Sequence, residues 1–146
     1  MPWPSAVKRG VLRFFGARVG RGVVIKPRVN IKYPWNVSIG SASWIGEDSW
    51  LDSLGPITVG SDVCVSQGCL IETGNHDWSK TSFDLVVKEV VLEDGSWAAA
   101  RSVLLPGSRL STHSVLTAGG VLSKTSDPYS IYTGNPAVKV GVRRLD

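Results

Sequence analysis

Aliphatic residues recur every six positions through most of this chain, and few folds accept that interval. They stand at Val19, Ile25 and Ile31; at Ile39, Ile45 and Leu51; at Val59, Val65 and Ile71; and at Leu92, Ala98, Leu104, Leu110, Leu116 and Leu122. Four residues after most of them comes a small or β-branched side chain, among them Val23, Ser43, Ser49, Val63, Cys69, Ser96, Ser102 and Ser114. Six is too long for a helical turn and too regular for a run of hairpins. It predicts a parallel β-helix in which each hexad is one flat wall, with the aliphatic turned inward and stacked on its copies in neighbouring coils. Three hexads close a triangular coil of about eighteen residues, so the chain predicts about five coils, stabilised by stacking. Glycine often follows the aliphatic, as at Gly20, Gly40, Gly46 and Gly60. That placement predicts corners that use its tolerance of positive φ.

The register breaks three times. Ile31 to Ile39 and Leu51 to Val59 each contain two extra residues, and Ile71 to Leu92 contains a polar excursion over 73–88 that carries His76, Trp78 and Phe83. Breaks of this kind in a solenoid mark loops on which binding and catalytic groups are mounted. The expected organisation is all-β: a helical cap over 1–18, a β-helix over 19–122 with the 73–88 loop, and a tail over 123–146. In the cap, Val7, Val11, Leu12, Phe14 and Phe15 alternate with Lys8, Arg9 and Arg13. This predicts a short amphipathic helix lying as a lid on the first coil, with docking on a membrane surface as the functional alternative. The tail, with its Asp127-Pro128 and Gly134-Asn135-Pro136 turn signals, is expected to leave the solenoid and fold back along it.

Bulk properties narrow the function. The 146 residues suit one domain, and the formal net charge is +4. Basic residues gather at both ends of the chain, yet no recognition helix or aromatic-studded basic strand argues for nucleic acid. A phosphate-bearing small molecule is at least as good a match for the rear cluster of Lys124, Lys139, Arg143 and Arg144, with a plain solvated surface as the alternative. No run of about 18 apolar residues and no secretory signal pattern is present, so a cytoplasmic setting is the default. Cys69 occupies a small inward position and reads as a core thiol. The two histidines cannot supply a three-histidine zinc site of the kind found in the γ-class carbonic anhydrases. His113 reads as a surface residue. His76 opens the excursion, and an imidazole there could act as a general base on a hydroxyl group. No Ser-His-Asp or Cys-His pairing is evident.

A resemblance sharpens this reading. The segments Pro34-Trp-Asn-Val-Ser-Ile-Gly, Ile45-Gly-Glu-Asp-Ser-Trp-Leu-Asp, Thr73-Gly-Asn-His-Asp-Trp, Glu93-Asp-Gly-Ser-Trp-Ala-Ala-Ala-Arg and Gly134-Asn-Pro-Ala resemble the hexapeptide-repeat acyltransferases. The similarity is greatest to the colanic-acid and exopolysaccharide biosynthesis O-acetyltransferases, relatives of the maltose and galactoside acetyltransferases, and runs from about Ala17 to Val140. It implies a left-handed β-helix, a homotrimer with active sites between subunits, acetyl-CoA as donor, a sugar acceptor and no metal. His76 falls on the family's catalytic histidine and Asp52 on its acceptor-holding position. Trp97 matches a tryptophan beside the thioester. Ser66, Ala98, Ala100, Ala118 and Gly119 match the groove for the cofactor arm, and Lys124 and Lys139 are the implied phosphate partners. The tail departs from the family by reading Pro136-Ala-Val-Lys-Val, where relatives place a basic residue directly after the alanine. Another acceptor, such as an antibiotic or serine, and a non-catalytic trimeric scaffold are the competing functions.

Overall fold

The computed structural model describes residues 3–146, so the first two residues of the expected cap lie outside it. The hexads form a three-faced coil. The first face holds β1 (Arg18–Val19), β4 (Val37–Ile39), β7 (Ile57–Val59), β12 (Val90–Leu92) and β15 (Arg109–Leu110). The second holds β2 (Val24–Ile25), β5 (Trp44–Ile45), β8 (Cys64–Val65), β13 (Trp97–Ala98), β16 (Val115–Leu116) and β18 (Ser130–Thr133). The third holds β3 (Asn30–Ile31), β6 (Trp50–Asp52), β9 (Leu70–Glu72), β14 (Val103–Leu104) and β17 (Val121–Leu122). Pairing between coils is parallel and in register, as in Ile39 with Val59, Ile45 with Val65 and Leu51 with Ile71. The aliphatic column is the core: from Ile45 through Leu122 every member is essentially inaccessible to solvent. The small column lies inside as well. Some of its serines bond to neighbouring backbone, with Ser43 Oγ donating to Gly60 O at 2.7 Å and Ser49 Oγ to Ser66 O at 3.0 Å, whereas the buried hydroxyls of Ser96 and Ser108 have no partner among the described residues.

The corners correct one expectation. Gly20, Gly40, Gly46 and Gly60 are absent from the positive-φ positions. They are glycine because the next coil's backbone passes where a Cβ would stand; at Gly46 that atom would lie 2.5 Å from Ser66 C and Gln67 N. Left-handed backbone falls instead three residues after the aliphatic, at Gly22, Arg28, Ala42, Asp48, Asp62, Gly68, Gly95, Arg101, Gly107, His113 and Gly119. Side chains pay about 1–2 kcal/mol there.

The coil also runs further than expected. Beyond Leu122 it makes part of a sixth turn: β18 pairs with β16, Tyr132 fills the inward place of the aliphatic, and Ser126 and Ser130 are buried. Only then does β19 (Val138–Val142) fold back, antiparallel to β18. At the other end, α1 (Ser5–Phe14) lies across the first coil. Lys8 Nζ donates to Ile25 O and Lys26 O at 2.9 Å, Arg9 Nη1 to Val23 O at 2.7 Å, and Arg13 Nη2 to Val19 O at 2.6 Å. These carbonyls belong to the first coil, which has no coil beneath it to pair with, so the helix's cations satisfy an otherwise open sheet edge. Among the described residues, no helix is long and apolar enough to cross a membrane.

Candidate active site

All three breaks in the hexad stack on one corner, between the third face and the first face of the next coil. The longest is a hairpin of β10 (Gly74–His76) and β11 (Leu85–Val87), paired Gly74 with Val87 and His76 with Leu85. It seats on the corner where glycine leaves room: Val87 covers Gly55 and Leu54 covers Gly74. Its tip is stapled. Asp77 N–H donates to Asp84 O at 2.8 Å, and Ser79 N–H to the Asp77 carboxylate at 3.1 Å. The Ser79 hydrogen bond holds the Asp77 carboxyl below the ordinary range, and Lys80 lies 3.4 Å from it.

His76 is exposed at the end of β10. Its Nδ1 lies 2.9 Å from Phe83 O, and the two rings stack at 4.2 Å and 7°. A carbonyl oxygen only accepts, so Nδ1 carries the proton and donates it. In the neutral ring the lone pair is then on Nε2. A neutral imidazole held in this tautomer can accept a proton at Nε2. Phe83 holds it with a left-handed backbone (φ 49°), which turns its carbonyl back toward the imidazole. Reading the sequence did not single out Phe83 for this role, because nothing periodic marks it.

Asp52 lies at the same corner, one coil before the hairpin, paired across the third face with Glu72. Lys32 Nζ stands 3.2 Å from its Oδ1 as an ion pair, but without hydrogen-bond alignment, so this buried oxygen keeps unused acceptor capacity.

The corner between the second and third faces carries a different feature. Ser66, Gln67, Trp97, Ala99, Ala100, Val115, Thr117 and Ala118 line a shallow trough of about 400 Å³. Trp97 forms one bank, its Nε1 donating to Ser66 Oγ at 2.9 Å. Four residues expected for the cofactor arm, Ser66, Trp97, Ala100 and Ala118, therefore meet in one place, with Gly119 beside them on the turn, its N–H donating to Ala100 O at 3.0 Å. Ala99, small like its neighbours Ala98 and Ala100 in the sequence, lines the trough too, whereas Gln67, Val115 and Thr117 were missed. Hexad arithmetic alone reaches most of them, since Gln67 and Thr117 stand one or two places after the inward Val65 and Leu116.

Ala98 is corrected. It is fully buried in the aliphatic column, with its side chain pointing away from the trough. Lys124 is also separated from the trough: its carbonyl accepts from Arg109 N–H, at the hairpin's corner of a later coil. Lys139, on β19, is paired with Asp127 at 3.0 Å. His113 is half-buried, not a plain surface residue: its ring lies over Gly95 and against Tyr129 at 4.9 Å. Cys69 is buried and free, and burial raises its thiol pKa. Among the described residues, no three His, Cys, Asp or Glu side chains converge as metal ligands.

No family model matches the chain. It is 35% identical over 133 residues to WcaF of Escherichia coli (strain K12), a protein provisionally named as a colanic acid biosynthesis acetyltransferase; the match spans 91% of this chain and 73% of the relative. A hexapeptide-repeat-containing acetyltransferase of Vibrio cholerae superposes with TM-score 0.90 at 20% identity, covering 97% of this chain and 82% of that one. The same Vibrio protein complexed with acetyl coenzyme A superposes at 0.88, with 21% identity over 96% and 78% of the two chains. A maltose O-acetyltransferase from Clostridium difficile 630 gives 0.87 at 21% identity over 94% and 75%. The fold is thus the left-handed β-helix that the resemblance implied, with nearly one more coil than the hexad count gave. Given the extent of the match to WcaF and the coil it shares with these enzymes, the chain belongs to the hexapeptide-repeat acetyltransferase family.

Proposed function

We propose that this chain transfers the acetyl group of acetyl-CoA to a hydroxyl of a sugar, carried on an exopolysaccharide precursor, with His76 as general base. The observation that carries the reading is the imidazole on the hairpin, whose Nδ1 proton is committed to Phe83 O while Nε2 stays open. His76 takes the proton from the acceptor hydroxyl as that oxygen bonds to the acyl carbon. The carbon–sulfur bond then breaks, and the proton passes to the leaving thiolate. Asp52, ion-paired with Lys32 at the same corner, holds a neighbouring hydroxyl. The small residues of the trough suit a narrow pantetheine arm, and Trp97 flanks its thioester end. Relatives support the donor and the acceptor class: the Vibrio enzyme is solved with acetyl coenzyme A, and WcaF is named for colanic acid biosynthesis.

One chain does not complete this site. The trough and the hairpin stand on opposite edges of the third face, roughly 15 Å apart by the rise of an extended strand. Beyond Asn30, the outer surface of that face carries a ladder of Trp50, Leu70, Val103 and Val121, and the second face, on the other side of the trough, carries Val24, Trp44, Trp97 and Val115, whereas the first face presents Arg18, Ser38, Thr58, Val91 and Arg109. An apolar outer face asks for a neighbour. A homotrimer packed through it would bring the hairpin of one protomer to the trough of the next.

Release of free thiol from acetyl-CoA, followed with a panel of acceptor sugars, tests the reading. His76→Ala is expected to lower kcat by about 10²–10⁴-fold, the usual worth of a general base. Equal turnover by the variant and the wild type would overturn it.

A further inference from the structure

The terminal helix is turned inside out. In a surface helix the apolar stripe normally faces the core and the charged face meets water. Here Ser5, Lys8, Arg9, Leu12 and Arg13, spaced as one helical face, lie against the coil; the four polar ones bond its carbonyls and Leu12 packs on the core. The opposite face presents Val7, Val11 and Phe14 to solvent; Phe14 is 84% exposed, and Phe15 meets it edge-on at 5.2 Å. Trp35, 61% exposed, stands beside Gly16 and extends the patch.

A second observation comes from charge. The first 46 residues hold eight lysines and arginines and no aspartate or glutamate, while the remainder holds eight cations against all twelve acids. In a solenoid, sequence position is height along the axis, so the imbalance becomes a positive pole at the helix end. Arg28 and Lys32 are offset by Asp48 and Asp52 in the second coil. Lys8, Arg9, Arg13, Arg18, Arg21 and Lys26 form no ion pair among the described residues. The apolar patch and the uncompensated charge therefore share one end of the molecule.

We infer that this pole docks on an anionic lipid surface, with Phe14, Phe15 and Val7 entering the headgroup–acyl boundary and Arg18 and Arg21 meeting lipid phosphates. Apolar and aromatic groups ringed by cations are what such an interface selects, and a ten-residue helix lies in it without spanning. Nucleic acid suits the pole less well, because three of its cations are turned toward the coil and the outward face is hydrocarbon. The inference does not depend on the catalytic reading, since the pole lies at the first coil and the hairpin and trough lie beyond it.

Co-sedimentation of the full chain with vesicles tests it, comparing phosphatidylcholine alone with a mixture containing phosphatidylglycerol. Binding is expected to the anionic vesicles only, and to weaken as salt shortens the reach of surface charge. The double variant Phe14→Glu with Phe15→Glu should bind the anionic vesicles at least about tenfold more weakly, while its far-UV circular dichroism and acetyl-transfer rate stay at wild-type values, because neither ring enters the core. Arg18→Gln with Arg21→Gln should likewise reduce binding to anionic vesicles, without creating binding to neutral ones. The inference is overturned if the wild type stays in the supernatant or the phenylalanine variant sediments equally. It is also overturned if those substitutions alter only oligomer size, which would assign the face to a second copy, or only binding to duplex DNA.

Discussion

The chemistry proposed for this chain comes down to which nitrogen of His76 holds a proton. The Phe83 carbonyl decides it, and the stacked ring keeps the imidazole in that plane. Phe83→Gly keeps a carbonyl in a backbone conformation glycine accepts, but removes the stack. It should lower kcat by roughly tenfold to a hundredfold, less than His76→Ala, with little change in KM for acetyl-CoA. A second residue-scale prediction concerns Glu93. Arg109 Nη1 donates to its Oε1 at 2.7 Å and Thr112 N–H to its Oε2 at 2.8 Å, and the Arg109 hydrogen bond leads in holding its pKa below the ordinary 4.5. A depressed carboxyl stabilises the fold above its unfolded pKa and loses that contribution as pH falls through the folded value. Glu93→Gln should therefore cost under about 1 kcal/mol at pH 7, where solvent screens the half-exposed pair, and nothing in strong acid. Urea melts at both pH values check this.

At the scale of elements, the hexad explains which substitutions the coil tolerates. Gly46 cannot accept a Cβ, because the next coil's backbone occupies that space. Gly46→Ala should lower the melting temperature by several degrees, whereas Arg101→Gly, at an exposed left-handed corner, should be neutral or stabilising. Differential scanning calorimetry of the two separates close approach from backbone conformation as the reason for glycine. Leu104→Ala, in the centre of the column, should cost about 2–5 kcal/mol. Periodicity makes the core, the faces and the position of the hairpin legible, because each follows from counting in sixes. It fails where counting stops. The sixth turn replaces the aliphatic with Tyr132 and so hides from the pattern. Ala98 counts as core and also matches a family groove position, and burial decides between them. The helix shows its alternation in sequence, but which face turns inward is set by unpaired carbonyls at Val19, Val23 and Ile25, which no local pattern announces.

At the scale of the whole molecule, the proposed reaction puts the base on one edge of the prism and the donor on another, so on that proposal a second copy completes the site. The trough was legible through Ser66, Trp97, Ala100 and Ala118, but its separation from His76 was not, since that depends on which corner each break occupies. Subunit mixing tests the shared site most directly. His76→Ala protomers keep the trough, and Ala100→Trp protomers keep the base but fill the trough. Each variant alone should be nearly inactive. Unfolded, mixed in equal amounts and refolded, they should recover about a quarter of wild-type activity, because an interface works only when an intact hairpin meets an intact trough. Mixed oligomers verified by native mass spectrometry that remain inactive, or a wild type that is fully active as a monomer, would contradict the account.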